Sequence, residues 1–149
     1  MKKKTVPLPP LSYVISVSLG TGCYRHIRVS ADDTLDMLSD AILDAFAFHN
    51  DHLHAFFMDN RAWSSNPEAC FWMDPDDDMT ENVNPGTDEV TLRELDLPVG
   101  HKFKFVFDFG DDWEFSCRVL KKLEEDTEFP KVLRSVGKAP EQYPDWEDE

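Results

Sequence analysis

The 149-residue chain reads as a single α+β domain of β-grasp-like order, with an antiparallel or mixed sheet, one main covering helix and a C-terminal hairpin. Three observations predict this. Apolar and polar residues alternate over residues 13–19, 24–29 and 102–119, the period-two signature of half-buried strands. Leu35, Leu38, Ile42, Ala45 and Phe46 recur at three- and four-residue spacing, the signature of a helix with one apolar face. The order hairpin, helix, strand, long loop, helical turn, hairpin then follows from the turn residues between them.

The elements follow in chain order. Lys2 to Pro10 is a basic, proline-rich lead-in. Tyr13, Ile15, Val17 and Leu19 mark the first strand, and Gly20-Thr21-Gly22 turns it into a second, Tyr24 to Val29. Asp33 or Thr34 caps the helix, Asp36 suits its N-terminal dipole, and its end is expected near Phe48. His54 to Asp59 is a third strand. In residues 60–73, Trp63, Phe71 and Trp72 ask for burial, while Asn66-Pro67 interrupts any regular element. Residues 74–89 have the composition of an exposed acidic loop. Val90 to Leu97 forms a helical turn, closed by Pro98-Val99-Gly100. Phe103, Phe105, Phe107 and Phe109 are placed on one strand face, and Trp113, Phe115, Cys117 and Val119 on the next. Joined as a hairpin, they make an aromatic surface for the helix to cover. Phe129 to Val136 gives one more extended segment, and residues 137–149 an acidic tail whose Tyr143, Pro144 and Trp146 can dock on the body.

Charge narrows the function classes. The formal net charge is -15. Residues 74–89 hold seven acids and no base, and residues 124–149 hold nine acids and three bases, so these two stretches supply -13 of it. Both repel phosphate backbones, which disfavours nucleic acid as a partner. Arg25, Arg28, Lys102 and Lys104 are read as the solvated polar face of a half-buried sheet, with a local basic patch as the alternative. The sequence contains no apolar run of membrane-spanning length and no signal-peptide pattern after Met1-Lys2-Lys3-Lys4. Cys23, Cys70 and Cys117 are odd in number and lack a C-x-x-C pair, so reduced thiols and a cytoplasmic location are expected.

Two clusters carry candidate chemistry. Asp108, Asp111 and Asp112 surround Gly110. Turn chemistry explains these residue types, with Gly110 expected to supply a positive φ; a divalent cation held by carboxylate oxygens is the alternative. The spacing does not match a calcium-binding D-x-D-x-D-G loop. His52 and His54, beside His49 and Asp51, are two residues apart and would share a strand face. With Asp108 or Asp111 as a third ligand they are candidates for a metal site; the ordinary alternative is a polar helix-to-strand junction. A nucleophile elbow and a phosphate-binding glycine loop are both missing from the sequence.

Phe107-Asp108-Phe109-Gly110-Asp111-Asp112-Trp113 resembles the Y-D-F-G-D-x-W signature of the plasmid pRiA4b ORF-3-like family. Residues 24–29, the helix from Thr34, Asn50-Asp51-His52-Leu53-His54-Ala55-Phe56 and Val90-Thr91-Leu92-Arg93-Glu94-Leu95 resemble further family segments in the same order, covering roughly residues 11–136. The resemblance implies an α+β domain of uncharacterised function, found in prokaryotic genomes and on mobile elements, with some relatives labelled insertion-element passenger proteins. It does not imply recombinase chemistry, because no activated Ser among DNA-gripping arginines is present. Lys138-Ala139-Pro140-Glu141-Gln142-Tyr143-Pro144-Asp145-Trp146 departs from the family's C-P-P-E-D-x-G-G stretch.

The expected function is a non-enzymatic binding module for a protein or small-molecule partner, using Asp108, Gly110, Asp111, Asp112, Trp113, His52 and His54. The alternative is a metal-dependent hydrolase in which His52, His54, Asp108 and Asp111 hold the ion.

Overall fold

The computed structural model describes residues 8–20, 22–50, 52–66, 69–73 and 86–142. Residues 1–7, Asp51, most of the acidic loop (74–85) and the tail from 143 lie outside the described residues, as do the side chains of Trp72 and Met73.

Seven strands form one sheet. They are β1 (Ser12–Ser18), β2 (Tyr24–Ser30), β3 (His54–Phe57), β4 (Cys70–Met73), β5 (Lys102–Phe107), β6 (Trp113–Leu123) and β7 (Lys131–Val136). Their order across the sheet is β4-β3-β5-β6-β1-β2-β7, and each of these neighbours pairs antiparallel. Helix α1 (Leu35–Ala45) packs on one face, and α2 (Leu92–Leu95) is a single turn. The architecture is thus a mostly antiparallel sheet with few helices.

Alternation decides which face each strand residue takes. Tyr13, Ile15, Val17, Ile27 and Val29 face the helix together with Phe103, Phe105, Phe107, Phe115, Cys117 and Val119, and all are buried. Against them α1 sets Leu35, Leu38, Ile42 and Leu43. Phe46 and Phe48 extend this cover past the helix end: Phe46 meets Phe115 edge-on at 5.2 Å, and Phe48 meets Phe115 at 5.9 Å. Each large ring in such a core contributes about 3–5 kcal/mol, judged by truncation to alanine.

The start of α1 is held from outside. Thr34 is the N-cap and accepts from the Met37 amide at 3.2 Å. The Leu35 and Asp36 amides, which have no partner inside the helix, donate to the carbonyls of Val90 and Thr87 at 2.9 Å. Segment 86–93 is itself fixed by a Thr91–Glu94 capping box and by Arg93, whose Nε lies 2.7 Å from Asp32.

The helix stops three residues before the expected end. Phe46 is its C-cap, and Ala47 turns into the left-handed region at φ 59°. The Ala47 amide then donates to Asp44 and the Phe48 amide to Leu43, closing a Schellman motif. A glycine usually marks that position, so alanine hides the stop. Arg25, 7% exposed, completes this end. Its Nε donates to the Ala45 carbonyl, one Nη donates to the Tyr24 and Val136 carbonyls, and the guanidinium lies over the Phe46 ring. Arg25 is therefore an inward-facing brace and no part of a surface patch.

The other sheet face is half covered. Ala55, Phe57, Cys70 and Val106 form a second small core, with Ala62 and Phe109 packed against it. Phe109 thus leaves the face of Phe103, Phe105 and Phe107, because Asp108 at φ 62° breaks the alternation. Trp63 remains 44% exposed and packs edge-on against Phe109 at 4.9 Å. Elsewhere on that face Ser12 and Val14 are buried, with Ser12 Oγ donating to the Glu125 carbonyl, while the part around Lys102, Ser116 and Arg118 is open.

The Ala47→Gly variant should be more stable by about 0.5–1 kcal/mol, because glycine relieves the left-handed strain at no steric cost. Urea unfolding measures this; an unchanged or lower midpoint would contradict the strained cap.

Candidate functional site

The carboxylate turn joins β5 to β6. Positive φ falls on Asp108 and Asp112, at 62° and 57°, and not on Gly110. Asp tolerates that region because its short side chain bonds locally. One Asp108 oxygen accepts the Asp111 amide at 3.3 Å, and the other lies 3.4 Å from His52 Nε2. Asp112 accepts the Trp63 indole N–H at 3.1 Å. The Asp108 carboxylate therefore serves the turn and that of Asp112 ties it to Trp63, while Asp111 and Asp112 are both exposed. Trp113 stands against Phe48 edge-on at 4.9 Å, with its indole N–H buried and lacking an acceptor among the described residues.

The two histidines part company. His52 joins Asp108 at the turn. His54, on β3, is 3% exposed and reaches toward α1, where Nε2 lies 3.1 Å from Thr87 Oγ1 and 3.5 Å from Asp36. Burial pushes its pKa down to about 4. The Asp36 carboxylate alone would favour a proton there, but desolvation is the larger effect. Asp36 is itself shifted up, first by burial and then by Asp88. The imidazole is therefore neutral at pH 7, and the Thr87 contact is a hydrogen bond between neutral groups. Among the described residues no three His, Cys, Asp or Glu side chains converge as a metal-ligand set.

A feature that the sequence reading missed lies beside the turn. A groove of about 750 Å³ runs between α1 and residues 128–130. Its apolar lining is Met37, Ala41, Leu43, Phe48, Phe129 and Pro130, and its carboxylates are Asp33, Asp40, Asp44 and Glu128. Among the described residues no base lines it. Met37 is 50% exposed and Phe129 65%. Burial raises the pKa of both Asp33 and Asp40, with the Asp36 charge adding to the shift at Asp40. Asp36, Asp40 and Asp44 recur every four residues on α1, so like charges stack along one stripe, costing a few tenths of a kcal/mol per pair. Asp44 also sits in the last helical turn, where the dipole disfavours an anion and α1 carries no base of its own. This i, i+4, i+8 repeat was visible in the sequence. The groove's other wall, Phe129-Pro130, is supplied from some ninety residues away, and no local pattern announces it. Phe48 lines the groove and touches Trp113, which makes the carboxylate turn its neighbour.

Two predictions follow from this geometry. His54 has a lowered folded pKa, so stability is full above its unfolded value near 6.5 and is lost as pH falls toward about 4, by up to about 3 kcal/mol. In His54→Gln the stability loss between those pH values should shrink by that amount in denaturant titrations; an unchanged slope would show that other groups cause it. Gly110→Ala should be tolerated and slightly stabilising, by about 0.5 kcal/mol, since the new Cβ would meet only Asp108 Oδ1 at 3.5 Å. A loss of a kcal/mol or more in the same assay would restore Gly110 as the conformational key of the turn.

The crystal structure of a protein of unknown function, MM3350 from Methanosarcina mazei Go1, superposes with a TM-score of 0.68 at 21% identity, over 89% of this chain and 73% of that one. At that identity the likeness establishes the fold alone. No curated protein is significantly similar. Among the described residues no helix is long and apolar enough to cross a membrane. The family model described as plasmid pRiA4b ORF-3-like protein matches residues 13–143, spanning the paired histidines, the carboxylate turn and the groove, and the chain belongs to that family.

Proposed function

We propose that the protein is a non-enzymatic binding module that holds a basic segment of a partner protein in the groove between α1 and residues 128–130. The observation that carries this reading is the pairing of an apolar floor with four carboxylates and, among the described residues, no base. An apolar side chain of the partner would seat between Met37 and Phe129, and flanking Lys or Arg side chains would meet Asp33, Asp40, Asp44 and Glu128. The stability that α1 gives up to its acidic stripe supports a binding role, because a bound cation would recover it. Asp111, Asp112 and Trp113, at the neighbouring turn, extend the same surface, with His52 at its edge.

Three buried free thiols support a cytoplasmic setting. The family's namesake is a plasmid reading frame, which supports an association with mobile elements. A grasp-like reading of the architecture rests on the first hairpin being crossed by α1. The metal-dependent hydrolase reading is less well supported, since His52 and His54 turn to different carboxylates.

Selection from a displayed random-peptide library tests the proposal. Selected peptides should carry an apolar residue flanked by Lys or Arg. Asp44→Asn combined with Glu128→Gln should weaken them about tenfold or more, leaving the melting temperature within a degree or two. Binding that survives this double variant but fails in Asp111→Ala with Asp112→Ala would move the site to the turn. A divalent ion that raises the melt of the parent protein, but not of His52→Ala, would revive the hydrolase.

A further inference from the structure

The open part of the outer sheet face carries the opposite charge. Lys102 and Lys104 on β5, Ser116 and Arg118 on β6, and Ser16 and Ser18 on β1 point away from α1. Strand register sets them in two rows, Lys104–Ser116–Ser18 and Lys102–Arg118–Ser16. They line a recess of about 360 Å³, with Asn60 of the covering segment as one wall and, among the described residues, no carboxylate in the lining. Three strands spaced about 4.8 Å apart make each row roughly 10 Å long.

Two features separate this recess from an ordinary solvated face. Lys102 and Arg118 are direct cross-strand partners, an arrangement of like charges that destabilises a sheet. In a chain of net charge -15, acidic partners for them would be easy to supply, yet none of the described residues brings a carboxylate into the recess. The hydroxyls are also organised: Lys104 Nζ donates to Ser116 Oγ at 2.9 Å, leaving the Ser116 proton to turn toward the cavity. Both features are explained by a multiply charged anion that bridges the cations and accepts from the serines.

We propose that this recess binds the phosphate group of a small ligand, gripped by Lys102, Lys104 and Arg118 and hydrogen-bonded by Ser16, Ser18 and Ser116. A phosphate fits better than a carboxylate because it offers two negative charges and three acceptor oxygens to three cations and three hydroxyls. A small ligand fits better than a polymer because the recess itself is short, about 360 Å³, although the same face runs on past Ser16 to His26 on β2 and Arg134 on β7. Asn60 and its covering segment close the β5 side, Glu114 follows on the same face of β6, and Arg28 at the far end of β2 is engaged by Glu125 and Asp126.

The test is isothermal calorimetry of the full chain with inorganic pyrophosphate at low salt, with amide NMR shifts to map it. Saturable one-to-one binding with Kd near ~100 μM or tighter is expected, with shifts centred on Ser16, Ser18 and Ser116. Lys102→Gln with Arg118→Gln should weaken it at least about tenfold, with a melting temperature unchanged or raised as the like-charge pair is relieved. Lys131→Gln with Arg134→Gln should leave it intact. No binding up to about 5 mM pyrophosphate, or equal binding in the first double variant, would overturn the proposal. So would a deoxythymidine oligonucleotide binding more tightly than pyrophosphate, which would make the face a nucleic-acid surface.

Discussion

A single helix has to cover one face of a seven-stranded sheet, and it is too short to do so. Eleven residues of α1 span about 16 Å, whereas seven strands spread over about 29 Å. The rest of the cover comes from irregular chain: Phe46 and Phe48 beyond the helix end, Leu92 and Leu97 from the segment that caps its start, and residues 128–130 along its flank. Where this cover is loosest, beside α1, the groove appears. The candidate site is thus a product of the fold's main shortage and does not interrupt an otherwise complete core.

The same arrangement sorts charge. Acidic residues of α1 lie on its solvent side, because its other side is committed to the aromatic sheet. Lys and Arg of β5 and β6 lie on the opposite sheet face, because alternation leaves them nowhere else. A chain that is strongly acidic overall therefore carries a local basic recess. Net charge, a sum over both faces, conceals the separation. In each surface the like charges are closer than stability alone would favour, on α1 through four-residue spacing and on the sheet through direct pairing of Lys102 with Arg118.

Most of the sheet was legible because period-two alternation is strong where one face is aromatic, and the start of α1 was legible because Thr34 is a good cap. What was hidden had local causes. Ala47 holds a conformation that sequence assigns to glycine, so the helix read as three residues longer. Asp108 takes the positive φ expected of Gly110, so Phe109 read as part of the wrong face. Cys70 to Met73 pair with β3 as an edge strand although Pro67 and the acidic loop surround them. His52 and His54 have the spacing of a shared face, but only His54 lies in a strand, and desolvation beside Thr87 sets it apart. The groove unites residues separated by most of the chain, which no window of sequence can reveal.

The buried guanidinium of Arg25 has a consequence for how the domain comes apart. β7 is an edge strand with almost entirely exposed side chains, and burial alone would let it fray. Arg25 ties its Val136 carbonyl to the last carbonyl of α1 through one rigid, permanently charged group, which also supplies the cation that the helix C-terminus lacks. Opening the edge strand therefore strips the helix end of its counter-charge and leaves a cation in an apolar setting. The outermost strand and the central helix are joined in one cooperative unit, and their amides should exchange with solvent at a common rate although one lies at the rim and the other over the core.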